Sequence, residues 1–142
     1  MRLHDAGVLG LLRVVADQQF LVEFFSGSQA RDGDLYIVNL DTFYDKLNAY
    51  NFQTNPGCAQ RDSQSYDDGR TVNANWDTVW QCRSSKGDGA WYVEIGVPFK
   101  QMRFPRADEQ VWGMNIFRLI RHTNEQTAWN PIPRQFNQFK SS

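Results

Sequence analysis

The stretch Trp91-Tyr92-Val93-Glu94-Ile95-Gly96-Val97-Pro98-Phe99 puts Trp91, Val93, Ile95, Val97 and Phe99 on one side of an extended chain and Tyr92, Glu94, Gly96 and Pro98 on the other. Strand side chains alternate with period two, so this pattern fits a half-buried strand and no helix. Pro98 has no N–H to give to a ladder, so pairing should stop there or run along an edge. The preceding Lys86-Gly87-Asp88-Gly89 reads as a hairpin turn. A second strand is expected over 111–122. Trp112, Met114, Ile116 and Ile120 share one face with Arg118 among them, and Asn115, Phe117, Leu119 and Arg121 form the other. Both faces are partly apolar, which suits a central strand.

Further strands are expected at 20–25, at 35–40 ending on Asp41, at 50–54 ahead of Pro56-Gly57, and over 76–83, where Trp76, Thr78, Trp80 and Cys82 alternate with polar neighbours. Residues 100–105 should form a short helical turn closed by Pro105. Residues 61–75 are polar and read as a long surface loop. At the N-terminus, Arg2 and the run Val8 to Leu12 hint at a signal peptide, but Asp5 and Arg13 break that pattern. A short amphipathic helix or an edge strand is the simpler expectation there. Strands at regular intervals, with no long segment of helical period, imply a single domain over 1–142: all-β, a two-sheet antiparallel β-sandwich of jelly-roll or immunoglobulin-like type with one short helical turn.

Composition narrows the function classes. Of 142 residues, 41 % are hydrophobic and 14 % aromatic, enough for a packed core. The formal net charge of −1 lacks the basic excess that nucleic acid or an anionic membrane would require. No window is long and apolar enough to insert in a bilayer as a helix.

The usual catalytic and metal signatures are missing. His4 and His122 are too few and too far apart to supply a nucleophile–base pair, and no G-x-S-x-G, P-loop or G-x-G-x-x-G occurs. Asp41 with Asp45 resembles a carboxylate pair, but acids at a strand end more often cap turns. No catalytic residue and no metal site is assigned, and no enzyme is expected. Asp41, Asp45, Asp67 and Asp68 offer a loose set of oxygens for a structural calcium. Cys58 and Cys82 lack zinc-like spacing; two free thiols are expected, with one bridge as the alternative in an oxidising compartment. Arg118, Arg121 and Arg134 are expected to pair with Glu94 and Glu125, since a charge on a mainly apolar face needs a partner.

Five tryptophans carry most of the binding signal. Trp91 and Trp112 belong to apolar strand faces and to the core. Trp129 lies in the polar stretch 124–131, where an indole could stack on a sugar ring or close the end of the core; Trp76 is a weaker case of the same kind.

Three stretches taken together carry a resemblance. They are Asn39 to Pro56 followed by Gln60-Arg61-Asp62; Asn75-Trp76-Asp77-Thr78-Val79-Trp80; and Trp91-x-x-Glu94-Ile95-x-Val97-Pro98-Phe99 continuing through Arg103-Phe104, Trp112-Gly113-Met114-Asn115, Arg118-x-Ile120-Arg121 and Asn124-Glu125-x-x-x-Trp129. In this order, over about 34–134, they resemble the carbohydrate-binding family 9-like (DOMON-related) domain that stands N-terminal to an uncharacterised barrel region in large bacterial outer-membrane proteins. The resemblance implies a sandwich that holds a sugar between tryptophans with help from polar side chains, often with structural calcium, at a periplasmic or cell-surface location. It places the family's polar strand residue at Gln53 and its later Asn and Trp near Asn124 and Trp129. At Ile37 this chain departs from the family, which has an acid there. Some DOMON relatives bind haem through Met and His; Met102, Met114 and His122 are the candidates here, without C-x-x-C-H, and haem is not expected.

The expected function is therefore a non-catalytic carbohydrate-binding-like module. Trp129 and Trp76 would stack on the saccharide, and Asn124, Gln53 and Arg121 would orient it. The rival reading is a structural or protein-interaction domain of a larger bacterial surface protein. Against the family the chain looks truncated, so an open sheet edge is expected to pair with another copy as a homo-oligomer. Light scattering that shows only monomer at high concentration would contradict that pairing.

Overall fold

The computed structural model describes residues 2–5, 8–15, 19–26, 33–87, 90–121 and 123–129, with side chains at 33–87, 91–121 and 123–129. Its strands are β1 (Arg2–Asp5), β2 (Val8–Val15), β3 (Gln19–Ser26), β4 (Leu35–Asp41), β5 (Ala49–Thr54), β6 (Gln60–Tyr66), β7 (Thr71–Asn73), β8 (Gln81–Gly87), β9 (Ala90–Pro98), β10 (Gly113–Ile120) and β11 (Glu125–Ala128). They form two antiparallel sheets, β1-β2-β3-β9-β8 and β11-β10-β4-β5-β6-β7. A 3-10 turn at Phe99–Gln101 follows β9. The architecture is the expected all-β sandwich.

Period-two alternation builds the core. In β9, Trp91, Val93, Ile95 and Val97 are buried while Tyr92 is exposed. In β4 and β5, Tyr36, Val38, Leu40, Tyr50 and Phe52 turn inward to meet them. The rings of Tyr36 and Trp91 are 4.7 Å apart, and Phe52 meets Trp80 edge-on at 5.5 Å. Complete burial of a side chain such as Ile95 contributes roughly 2 kcal/mol. Pairing of β9 with β3 ends at Pro98, opposite Gln19, as the missing N–H requires. β10 lies between β4 and β11, and its middle residues Asn115 to Arg118 are all buried, as a central strand demands.

Several expectations need correction. Residues 61–75 are not a loop: they hold β6 and β7, joined by a turn at 67–70. The sequence Gln60 to Tyr66 has little apolar signal, but the far edge of β5 needs hydrogen-bond partners, and β6 supplies them in register from Ala49↔Ser65 to Thr54↔Gln60. Residues 76–80 are not a strand. They cross from β7 in one sheet to β8 in the other, and Trp76 and Trp80 drop into the interior on the way. The N-terminal stretch is no helix: β1 is an edge strand, and β2 lies between it and β3. Asp88 and Gly89 of the expected turn, His122 and Arg134 lie outside the described residues; β8 and β9 do form the hairpin, paired as far as Gly87↔Ala90.

The cysteines are not free. Cys58, just past the Pro56-Gly57 turn, is bonded to Cys82 at the start of β8, with Cα atoms 5.7 Å apart. The turn at the end of β5 swings Cys58 toward the opposite sheet, so the bridge ties the two layers together.

Candidate functional site

The residues that alternate with the core form the outer face of the six-stranded sheet. Register aligns them in two rows across the strands. One row runs Phe117–Ile37–Gln53–Arg61 and the next Asn115–Asn39–Asn51–Ser63. With Val72 and Gln126 at the flanks, this face forms a groove of about 380 Å³, a size suited to small ligands. The groove lining mixes apolar side chains, Ile37 and Phe117 on β4 and β10 and Val72 on β7, with four amides, a serine hydroxyl and a guanidinium.

The polar part of the lining is partly set in place. Asn51 Nδ2 donates to Ser63 Oγ and to Ser65 Oγ, both at 3.1 Å, and Ser65 Oγ donates in turn to Asn51 Oδ1 at 3.3 Å. Arg61 is the one charged residue among those lining the groove, which include no carboxylate and no histidine. Amide groups donate and accept from one plane, which suits a ligand rich in hydroxyls. Among the lining residues there is no acid–base pair to drive hydrolysis.

Of the five residues singled out in the sequence, the structure brings Gln53 into this groove and sets the other four elsewhere. Trp129 donates its backbone N–H to Ile116 O at 2.8 Å, and its half-buried indole packs against the core. Trp76 packs against Tyr50 and Phe52, with ring centroids 4.9 and 6.0 Å away. Asn124 occupies the β10–β11 turn with φ 54°, exposed, its N–H bonded to Arg121 O at 3.2 Å. Arg121 is exposed, and its backbone N–H donates to Asp34 Oδ1 at 3.0 Å. Its stem lies so close to Gly33 (φ 94°) that a Cβ there would fall 2.9 Å from Arg121 Cγ. Trp80 and Trp91 are buried, and Trp112 packs on Phe99 and Phe104, so no indole stands fully in water.

The residues that sequence reasoning missed are Asn39, Asn51, Arg61, Ser63 and Gln126. The signal for Asn51 was present, since it alternates with Tyr50 and Phe52. Asn39 is hidden inside a nearly continuous apolar run.

A second pocket of about 380 Å³ lies at the end of the same sheet, lined among others by Phe43, Asn48, Gln64, Tyr66 and Arg103. Its loop is held by two carboxylates. Asp41 accepts from Asp45 N (3.2 Å) and Lys46 N (2.7 Å), and Asp45 accepts from Leu47 N, Asn48 N and Asn48 Nδ2 at 2.7–2.9 Å. Burial pushes Asp41 above the usual carboxylate range, with repulsion from Asp45 adding to it, against the pull of the N–H donors. Burial also acts upward on Asp45, but its hydrogen bonds from Leu47 and Asn48 outweigh it and hold the group below that range.

The Asp41 and Asp45 oxygens accept from N–H donors of their own loop, and Asp67 accepts from Arg70 at 3.3 Å. No group of three His, Cys, Asp or Glu able to hold a metal occurs among the described residues. Met102 is buried in the core and Met114 packs against it. No helix among the described residues is long and apolar enough to cross a membrane.

The fold and the groove together define an all-β sandwich with an open, amide-lined face. No family model matches the sequence. No curated protein matches it. Among solved structures the chain is similar to a crystal structure of a "putative carbohydrate-binding protein" from Bacteroides uniformis ATCC 8492, with a TM-score of 0.66 and 13 % identity over 94 % of this chain and 73 % of that one. At that identity the likeness shows the shared fold.

Proposed function

We propose that this chain is a non-catalytic carbohydrate-binding-like module that receives a saccharide in the outer-face groove of its six-stranded sheet. The observation that carries the reading is the two aligned rows, which place amide, hydroxyl and guanidinium groups beside the apolar side chains of Ile37 and Phe117. A sugar ring has hydroxyls at its rim and C–H groups on its faces, and it matches both kinds of lining. A fold shared with a protein named as carbohydrate-binding supports the same ligand class. The narrower kinship with family 9-like and DOMON-related domains belongs to the proposal too. Ile37 and Gln53, the strand positions that the resemblance marks, are cross-strand partners in the groove lining. The Cys58–Cys82 bridge favours an oxidising compartment, such as the periplasm or cell surface.

Calorimetric titration of the full chain with cello- and xylo-oligosaccharides tests the reading. Binding is expected, weakened about tenfold or more by Gln53→Ala, since an unmade polar contact leaves its partner unsatisfied. Absence of heat for every saccharide at about millimolar concentration would overturn it.

A further inference from the structure

We infer a second saccharide-binding site, separate from the groove, in the pocket at the end of the six-stranded sheet, where Phe43 and Tyr66 present their rings to water beside a cavity of about 380 Å³. Three features carry it. The first is exposure: Phe43 is 50 % and Tyr66 40 % exposed, and both line the pocket. Large aromatic surface left in water next to a cavity adds nothing to the core, and it offers flat faces to a ring that stacks on them.

The second is rigidity. The loop that carries Phe43 keeps Tyr44 and Lys46 in the left-handed region, at φ 53° and 60°, which non-glycine residues rarely adopt. The Asp41 and Asp45 carboxylates fix that shape through the N–H groups of residues 45–48. Asp68 N donates to Leu47 O at 2.9 Å, which holds the loop from outside, and within it Lys46 Nζ lies 5.9 Å from the Tyr44 ring centroid. A loop already ordered loses little conformational freedom when it binds.

The third is the polar groups that this network leaves open among the described residues. Gln64 accepts from Tyr66 OH through Oε1 at 2.7 Å, so that bond leaves its NH2 group available to donate. Asn48 donates through Nδ2 to Asp45, so its Oδ1 stays an acceptor, and the exposed Arg103 guanidinium borders the same pocket. An apolar peptide side chain would leave these donors and acceptors unmet, whereas a sugar stacked on an exposed ring satisfies both kinds of lining. The choice of ligand class rests on the carbohydrate-binding reading; the site itself shares no residue with the groove.

The test is an amide-shift titration of the uniformly ¹⁵N-labelled full chain with cellohexaose and with xylohexaose. Two sets of resonances are followed, Phe43, Asn48 and Tyr66 for the end pocket and Asn39, Asn51 and Gln53 for the groove. Both sets are expected to shift with at least one sugar. Phe43→Ala and Tyr66→Ala should each weaken the end-pocket response several-fold, up to about tenfold, and leave the groove response unchanged. Phe43→Tyr, which keeps the ring face, should respond like the wild type, and Gln53→Ala should affect the groove set alone. Shifts confined to the groove set would overturn the second site and leave the groove reading standing. No shift in either set would overturn both.

Discussion

Asp41 and Asp45 sit four residues apart on one loop, yet the fold moves them in opposite directions. Asp41 is raised chiefly because it is buried; Asp45 is lowered because backbone and side-chain N–H donors outweigh its burial. A carboxyl lowered in the fold adds stability above its unfolded value and loses it as pH falls through the folded value. A raised one acts in reverse, with its contribution present at low pH and lost as pH rises. Asp45→Ala removes the three hydrogen bonds that order residues 47 and 48, at a cost of about 1 kcal/mol for so exposed a group. The stability gap between wild type and this variant should be wider at pH 6 than well below about pH 4. Denaturant unfolding at both pH values checks this, and equal gaps would contradict the assigned direction. At this scale the sequence showed Asp41 at the end of its strand and Gln53 on the outward side of its own. It did not show Asn39 as a groove-lining amide, because a residue within the run Leu35 to Leu40 carries no polar alternation to mark its face.

The elements divide by how they are specified. β5, β9 and β10 are written in apolar periodicity and β4 as a nearly continuous apolar run, because each turns one face to the core, and all four were legible. β6, β7 and β8 have few apolar residues and mostly exposed side chains, and they exist through pairing with a neighbour. Pairing depends on the free edge of a neighbouring strand and not on a strand's own apolar pattern, so local pattern missed β6 and β7 and set β8 several residues early. The reverse error at 76–80 has the same root. Trp80 is buried and Trp76 half-buried by tertiary packing between the layers, which mimics the alternation of a strand. The Cys58–Cys82 bridge was likewise not fixed by sequence, since only the turn after β5 brings the two thiols together. It closes a sequence separation of 24 residues, for which chain entropy gives a contribution of roughly 3 kcal/mol. The Cys58→Ser/Cys82→Ser double variant should therefore unfold at clearly lower temperature; an unchanged midpoint would show that the bridge adds nothing to holding the layers together.

At the scale of the whole molecule, one division organises the fold. Alternation sends Tyr36, Val38, Tyr50 and Phe52 inward to make the core, and the same alternation sends Ile37, Asn39, Asn51 and Gln53 outward to make a groove. Trp76 and Trp129, the residues with the most obvious binding chemistry in the sequence, pack against the inner side of that division. A reading built on residue type alone selected indoles; the sheet instead presents amides. The central claim is that a saccharide lies against that outer face, and the side-chain amide protons there report on it most directly. In a titration with a cello- or xylo-oligosaccharide, the side-chain NH2 resonances of Asn39, Asn51, Gln53 and Gln126 should shift along one saturable curve. If the sugar saturates the protein while those four resonances stay fixed, the ligand lies elsewhere and the groove is not its site.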